Sequence, residues 1–233
     1  MDSRDIALQS SCPVVAMPRY GQLLDLPDMG NGQRVIVAAN GVFVQVKLDW
    51  LDCVQRLMPC RPGMPLPYGH VQERLAFSFG VLPIRLIEVF VEEGRCALPD
   101  EAAGVLIYSR GTRRLRLAMC DAVRSSPVRI DYCLPVLEDD EAVAVDLHTH
   151  GCGMPFWSEV DDRDDLGIKV AGVFGCLHHE RPKAEFRLVL NGMYKALPHP
   201  WQGVGQAQEE SPDGALETGV LRKILSMWHR ARA

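Results

Sequence analysis

The sequence predicts an α/β protein in which a small N-terminal α+β module precedes a domain built on a curved mixed β-sheet flanked by helices. Between residues 103 and 191 six short runs rich in β-branched and aromatic residues follow one another, separated by turn residues. An amphipathic stretch after Pro83 carries apolar residues at 84, 86, 87, 90 and 91, the spacing of one helix face. The segment 59–67 holds four prolines in nine residues, which neither a helix nor a central strand tolerates, so it reads as a linker.

Taken in order, RVIVAANGVFVQVKL predicts a hairpin over 34–48, because Asn40-Gly41 accepts the backbone angles of a tight turn. In DWLDCVQRLM, Trp50, Cys53, Val54, Leu57 and Met58 fall at helical spacing behind Asp49 as N-cap, which predicts a short helix. A second helix runs from 84 to an end near Gly94. Strands are expected at 103–109, 114–120, 128–133, 142–150, 168–177 and 185–191. A loop rich in Gln, Glu, Gly and Pro at 201–214 leads to a terminal helix with Leu216, Val220, Ile224, Met227 and Trp228 on one stripe. The domains are then 1–80, 81–200 and 201–233.

Composition excludes some partners. An apolar content of 47% with 24% charged residues suits a folded core, and a net charge of −5 gives no general attraction to phosphate backbones, so no nucleic acid is expected. No run approaches about 18 apolar residues, and Asp2, Arg4 and Asp5 interrupt the N-terminus where a signal peptide would be apolar. No membrane partner and a cytoplasmic location are expected. The eight cysteines lack a CxxC pair and read as mostly reduced, buried thiols.

The chemistry concentrates in AVAVDLHTHGCGMPFWSEVDDRDD. Side chains alternate along a strand, so His148 and His150 project to one face and converge, while Thr149 points away. Two histidines and the carboxylate of Asp161, with a fourth position left to water, make an open catalytic zinc arrangement, so Zn²⁺ is the expected cofactor. The acidic run from Asp161 also suits a helix N-terminus, and both roles are compatible. Ser158 would then cap that helix or donate to the oxyanion formed when water attacks a carbonyl. Cys152 would close the site if the strand continued past His150, which Gly151 and Gly153 oppose. Phe156 and Trp157 are expected to pack beside the site, and His178 and His179 to be polar strand-end residues. A cupin would need a glutamate where Met154 and Pro155 stand.

The pattern His148-x-His150, seven residues, Ser158-x-x-Asp161 resembles the JAMM signature of the JAB/MPN family. That family also has an upstream glutamate in a P-x-E-x-x-G-x-L element, which Pro99, Glu101, Gly104 and Leu106 resemble, so the resemblance makes Glu101 the general base, with Asp100 as its neighbouring alternative. The chemistry agrees: a carboxylate beside zinc-bound water can take a proton and return it to a leaving amine. Family members usually read HxHP, whereas this chain has Gly151. The resemblance implies a JAB/MPN-like, cytidine deaminase-like fold and hydrolysis of a peptide or isopeptide bond at the C-terminal tail of a ubiquitin-like protein. Its substrate tail would enter by pairing with an edge strand. Within the family the chain resembles the A-protein branch of the PRTRC plasmid gene system. That branch implies a ubiquitin-like modifier or its conjugates, and activating-enzyme-like proteins, as partners. The competing class is a non-catalytic MPN-like scaffold binding the same partners.

Overall fold

Alternating apolar residues build a five-stranded and a six-stranded sheet. The computed structural model describes residues 3–20, 25–61, 63–64 and 66–197. The chain divides into two compact units, Met1–Gly80 with Arg110–Arg114, and Val81–Ser109 with the chain from Leu115 onward. The terminal loop and helix expected at 201–233 lie outside the described residues.

The first unit starts with helix α1 (Ser3–Ser11) and continues through β1 (Val14–Ala16), β2 (Gly32–Ala38), β3 (Gly41–Lys47), β4 (Leu51–Pro59) and β5 (Arg74–Phe77), side by side in that order. Strands β1 and β2 run parallel and the remaining pairs antiparallel. Ile36, Ala38, Phe43 and Val54 form a buried core. The first hairpin turns at Ala39-Asn40, one residue earlier than expected, and the Asn40 side chain both donates to and accepts from the Val71 backbone. Gly41 is needed in its strand, because a Cβ there would sit 2.4 Å from the Met58 carbonyl oxygen.

The helix expected over 50–58 is instead strand β4. Its apolar spacing suits either structure, but Leu51 and Cys53 are buried at a period of two while Leu57 and Met58 are exposed. Asp49 is no N-cap: Asp49 and Trp50 form a tight turn closed by reciprocal Leu48 and Leu51 backbone bonds.

In the second unit helix α2 (Ile84–Cys96) precedes β6 (Ala103–Ser109), β7 (Arg114–Met119), β8 (Asp121–Ser126), β9 (Arg129–Cys133) and β10 (Glu141–Thr149). Helix α3 (Glu159–Asp164), β11 (Ile168–Gly175), β12 (Lys183–Leu190) and β13 (Met193–Leu197) follow. The six-stranded sheet has the order β13-β12-β11-β10-β6-β7 and is mixed, since β10 and β11 are parallel. Strands β8 and β9 form a separate hairpin. Every strand expected here is present within about two residues at its ends, and β8 and β13 are additional.

Helix α2 covers one face of this sheet through Phe90, whose ring meets Phe174 edge-on at 5.4 Å. It passes through Gly94 and ends at Cys96, two residues beyond the glycine. Gly94 serves contact instead: a Cβ there would lie 2.9 Å from Thr149 Cγ2. On the opposite face, register sets Asp146 beside Ala171 and Ala171 beside Arg187, with His148 beside Val173. Of the eight cysteines only Cys53 and Cys176 are buried, fewer than expected; none is in a disulfide.

Candidate metal centre

Strand β10 lies between β6 and β11, so its backbone is bonded on both sides and the two histidines inherit a fixed direction. Thr149, between them, faces the core with no exposure. Its Oγ1 accepts the Ala102 N–H at 2.8 Å, and its own N–H donates to the Ala102 carbonyl at 2.9 Å. His150 donates its backbone N–H to Phe174 at 2.7 Å, and then the chain turns at Gly151, whose φ is 49°. A proline, held near −65°, cannot adopt that angle. A Cβ at Gly151 would also stand 3.1 Å from the Pro99 carbonyl oxygen. Glycine therefore has a structural reason to replace the usual proline.

Helix α3 supplies the third group. Ser158 is its N-cap, and the capping box is complete: the Ser158 hydroxyl accepts the Asp161 N–H at 3.2 Å, and Asp161 Oδ2 accepts the Ser158 N–H at 2.7 Å. The other oxygen, Oδ1, lies 3.4 Å from His148 Nε2, which is 3.2 Å from His150 Nε2. Ligand atoms of the three residues all lie within 4.8 Å of one another. Tetrahedral zinc with bonds of about 2.0–2.1 Å needs donors about 3.3 Å apart, so the donor set fits zinc in both chemistry and spacing. His150 Nδ1 sits 3.3 Å from the Met154 carbonyl oxygen, a contact that leaves Nε2 as the lone-pair nitrogen toward the site. Burial lowers the pKa of His148 against the opposing pull of Asp161, which favours the neutral imidazole a metal requires.

Glu101 reaches this centre from the segment before β6. Its N–H donates to the Ser126 carbonyl at 3.1 Å, and its carbonyl accepts the Ser125 hydroxyl at 2.6 Å. The residue is 7% exposed. Burial, with the Asp161 charge adding to it, raises its pKa from 4.5 to about 7. Glu101, His148, His150, Ser158 and Asp161 all line one cleft of about 690 Å³, and Asp100 does not. The structure thus brings together all five residues expected at the site.

Residues 83–189 match the family model described as prokaryotic homologs of the JAB domain. The match supports a JAB/MPN assignment for this stretch. Residues 2–78 match a domain of unknown function, DUF2016. No curated protein matches the chain. Among solved structures, the solution structure of protein DSY2949 from Desulfitobacterium hafniense is 17% identical, covering 48% of this chain and 86% of its own. Its TM-score of 0.38 is too low to bear on the argument. The match over residues 83–189 concerns the JAB domain and says nothing of the PRTRC branch.

Around this His-His-Asp group, Phe156 packs edge-on to His150 at 4.7 Å and Trp157 to His148 at 6.1 Å. Cys152 is exposed and lines the cleft, yet among the described residues the group able to hold a metal comprises His148, His150 and Asp161 alone. His178 and His179 lie in the turn after β11.

Sequence reasoning missed a polar network beside the ligands. Tyr132 donates its hydroxyl to Asp146 Oδ1 at 2.7 Å, and Lys169 donates to Asp146 Oδ2 at 2.6 Å and pairs with Asp165 at 2.8 Å. Burial opposes the charge on Lys169, but Asp146 and Asp165 outweigh it and raise its pKa. Asp146 was findable, being two residues before His148 on the same strand face. Arg187 was signalled only as a charge inside the apolar run EFRLVL. Among the described residues no helix is long and apolar enough to cross a membrane.

Proposed function

We propose that the JAB unit is a zinc-dependent hydrolase that cleaves a peptide or isopeptide bond, at the C-terminal tail of a ubiquitin-like protein. The observation carrying this reading is the buried glutamate, with a pKa near neutrality, that lines the same cleft as a His-His-Asp group of zinc spacing. His148, His150 and Asp161 would hold the ion. Zinc bound there would polarise the scissile carbonyl and bring the pKa of attacking water to about 7. Glu101 would act as the general base and acid, taking a proton from the attacking water and delivering it to the leaving amine, a role worth about 10²–10⁴-fold in rate. Ser158 uses its oxygen to accept the Asp161 N–H, so its hydroxyl proton is available to the developing oxyanion.

A ubiquitin-like modifier or its conjugates as substrate, activating-enzyme-like partners, and the PRTRC branch follow from the JAMM-like pattern and belong to the same proposal. The cleft volume falls in the usual range of ligand sites and has room for a short extended tail. The test is metal analysis of the purified protein, followed by incubation of wild type and Glu101→Ala with a modifier-tail peptide. Bound zinc, cleavage by wild type and none by the variant are expected. Cleavage that survives the substitution removes Glu101 from the mechanism. Zinc without cleavage of any modifier tail favours the MPN-like scaffold.

A further inference from the structure

Helix α3 raises a physical problem. It is six residues long, too short to persist alone, and none of its residues is buried. Its one large apolar side chain, Val160, is 38% exposed. The helix nevertheless carries Asp161, which must stay within a few tenths of an ångström of its place to share an ion with His148 on a central strand and His150 just past its end. Apolar packing cannot supply that precision here. The capping box organises the first turn internally but does not attach it to the sheet.

Arg187 makes the attachment. It sits on β12, two strands from β10, on the sheet face that carries His148 and Asp146. The side chain is almost fully buried and donates from Nε and Nη2 to Asp165 Oδ2 at 3.0 and 2.7 Å, and from Nη1 to Asp162 Oδ1 at 2.6 Å. Its guanidinium lies between two aromatic rings, 3.9 Å from the centroid of Trp157 and 4.0 Å from that of Tyr194. Tyr194 also donates its hydroxyl to the Asp162 carbonyl at 2.7 Å. One cation therefore grips the body of α3, the residue just after it, and the tryptophan that flanks its N-cap and touches His148. A planar guanidinium can do this; an ammonium can neither fork to two carboxylates in the same way nor stack between two rings. Lys169 adds a second tie from Asp165 to Asp146 on β10.

We propose that Arg187 is a positioning residue for the metal centre, holding α3 against the sheet so that Asp161 meets His148 and His150 before any ion arrives. This inference rests on the metal reading of those three residues. It makes Arg187 act through Asp162, Asp165 and Trp157, without touching ion or substrate.

The test uses the full chain, with Co²⁺ as a spectroscopic stand-in for zinc, in wild type, Arg187→Lys and Tyr194→Phe. Arg187→Lys is expected to weaken Co²⁺ binding about 10–100-fold and to change its visible absorption, as loss of an oriented ligand does. Tyr194→Phe, which removes only the hydroxyl on an accessible ring, is expected to weaken it a few-fold and serves if the arginine variant does not fold. Amide hydrogen exchange over residues 159–165, measured without metal, is expected to accelerate in both variants. Folded variants with unchanged Co²⁺ affinity, spectrum and exchange would overturn the proposal. A wild type that binds no Co²⁺, with exchange still accelerated in the variants, would sink the metal reading while leaving Arg187 as the anchor of α3.

Discussion

His148 rides on a strand whose backbone is bonded to neighbours on both sides, with His150 just past its end and held to Phe174 by its N–H, whereas Asp161 rides on a short helix that buries no side chain. On the strand, the direction of each imidazole follows from the pleat, and Thr149 between them locks the register by exchanging two bonds with Ala102. On the helix, orientation depends on charges brought from β11 and β12. The strand half is thus positioned by backbone geometry and the helix half by side-chain electrostatics. The two halves should respond differently to mutation, pH and salt.

The largest expected effects break the ligand set itself. Asp161→Asn removes the charged ligand oxygen but keeps a carbonyl able to accept the Ser158 N–H, so zinc retention should fall steeply while helix α3 persists. Metal analysis beside hydrogen exchange of residues 159–165 checks this. Loss of exchange protection as well would mean that ligand and cap roles cannot be separated.

Next come the residues that bring the base to the metal. Glu101→Gln should retain zinc and lose about 10²–10⁴-fold in hydrolysis. It should also change stability with pH. The folded-state pKa of Glu101 lies above its ordinary 4.5, at about 7, so the folded state binds this proton more tightly. Glu101 therefore destabilises the metal-free protein increasingly as pH rises from 4.5 through 7, by up to about 3 kcal/mol above that window. Denaturant midpoints of metal-free wild type and Glu101→Gln should coincide near pH 4 and separate by pH 8, with the variant more stable. Thr149→Val leaves the Ala102 N–H without a partner beside Glu101 and should cost about 1–3 kcal/mol, whereas Thr149→Ser should recover most of it. Urea unfolding of the pair decides.

The smallest stability effect should fall on the cap. Ser158→Ala should cost about 1 kcal/mol through α3. If the hydroxyl also serves the oxyanion, kcat should fall about 10²–10³-fold with KM unchanged. A variant with full kcat would restrict Ser158 to capping.

The contrast between the two halves also explains what the sequence disclosed. The HxH pair and its strand were legible because alternation along AVAVDLHTH encodes both the element and the face. Ser158 and Asp161 were legible because capping is local. Arg187 was not, since its partners lie 22 and 25 residues away and only folding brings them together. Strand β4 was misread because Trp50, Cys53, Val54, Leu57 and Met58 satisfy a helical stripe, and the tertiary partners β3 and β5 decide between the two. Strand β8, with five of six residues exposed, offers no apolar signal to read.

The most direct measurement is a crystal structure of the zinc-loaded protein with an anomalous map at the zinc edge. One ion bound by Nε2 of His148, Nε2 of His150 and Oδ1 of Asp161, with Glu101 facing its open side, is the expected result. An ion held by the Cys152 thiolate, or lying away from these three side chains, would contradict the account.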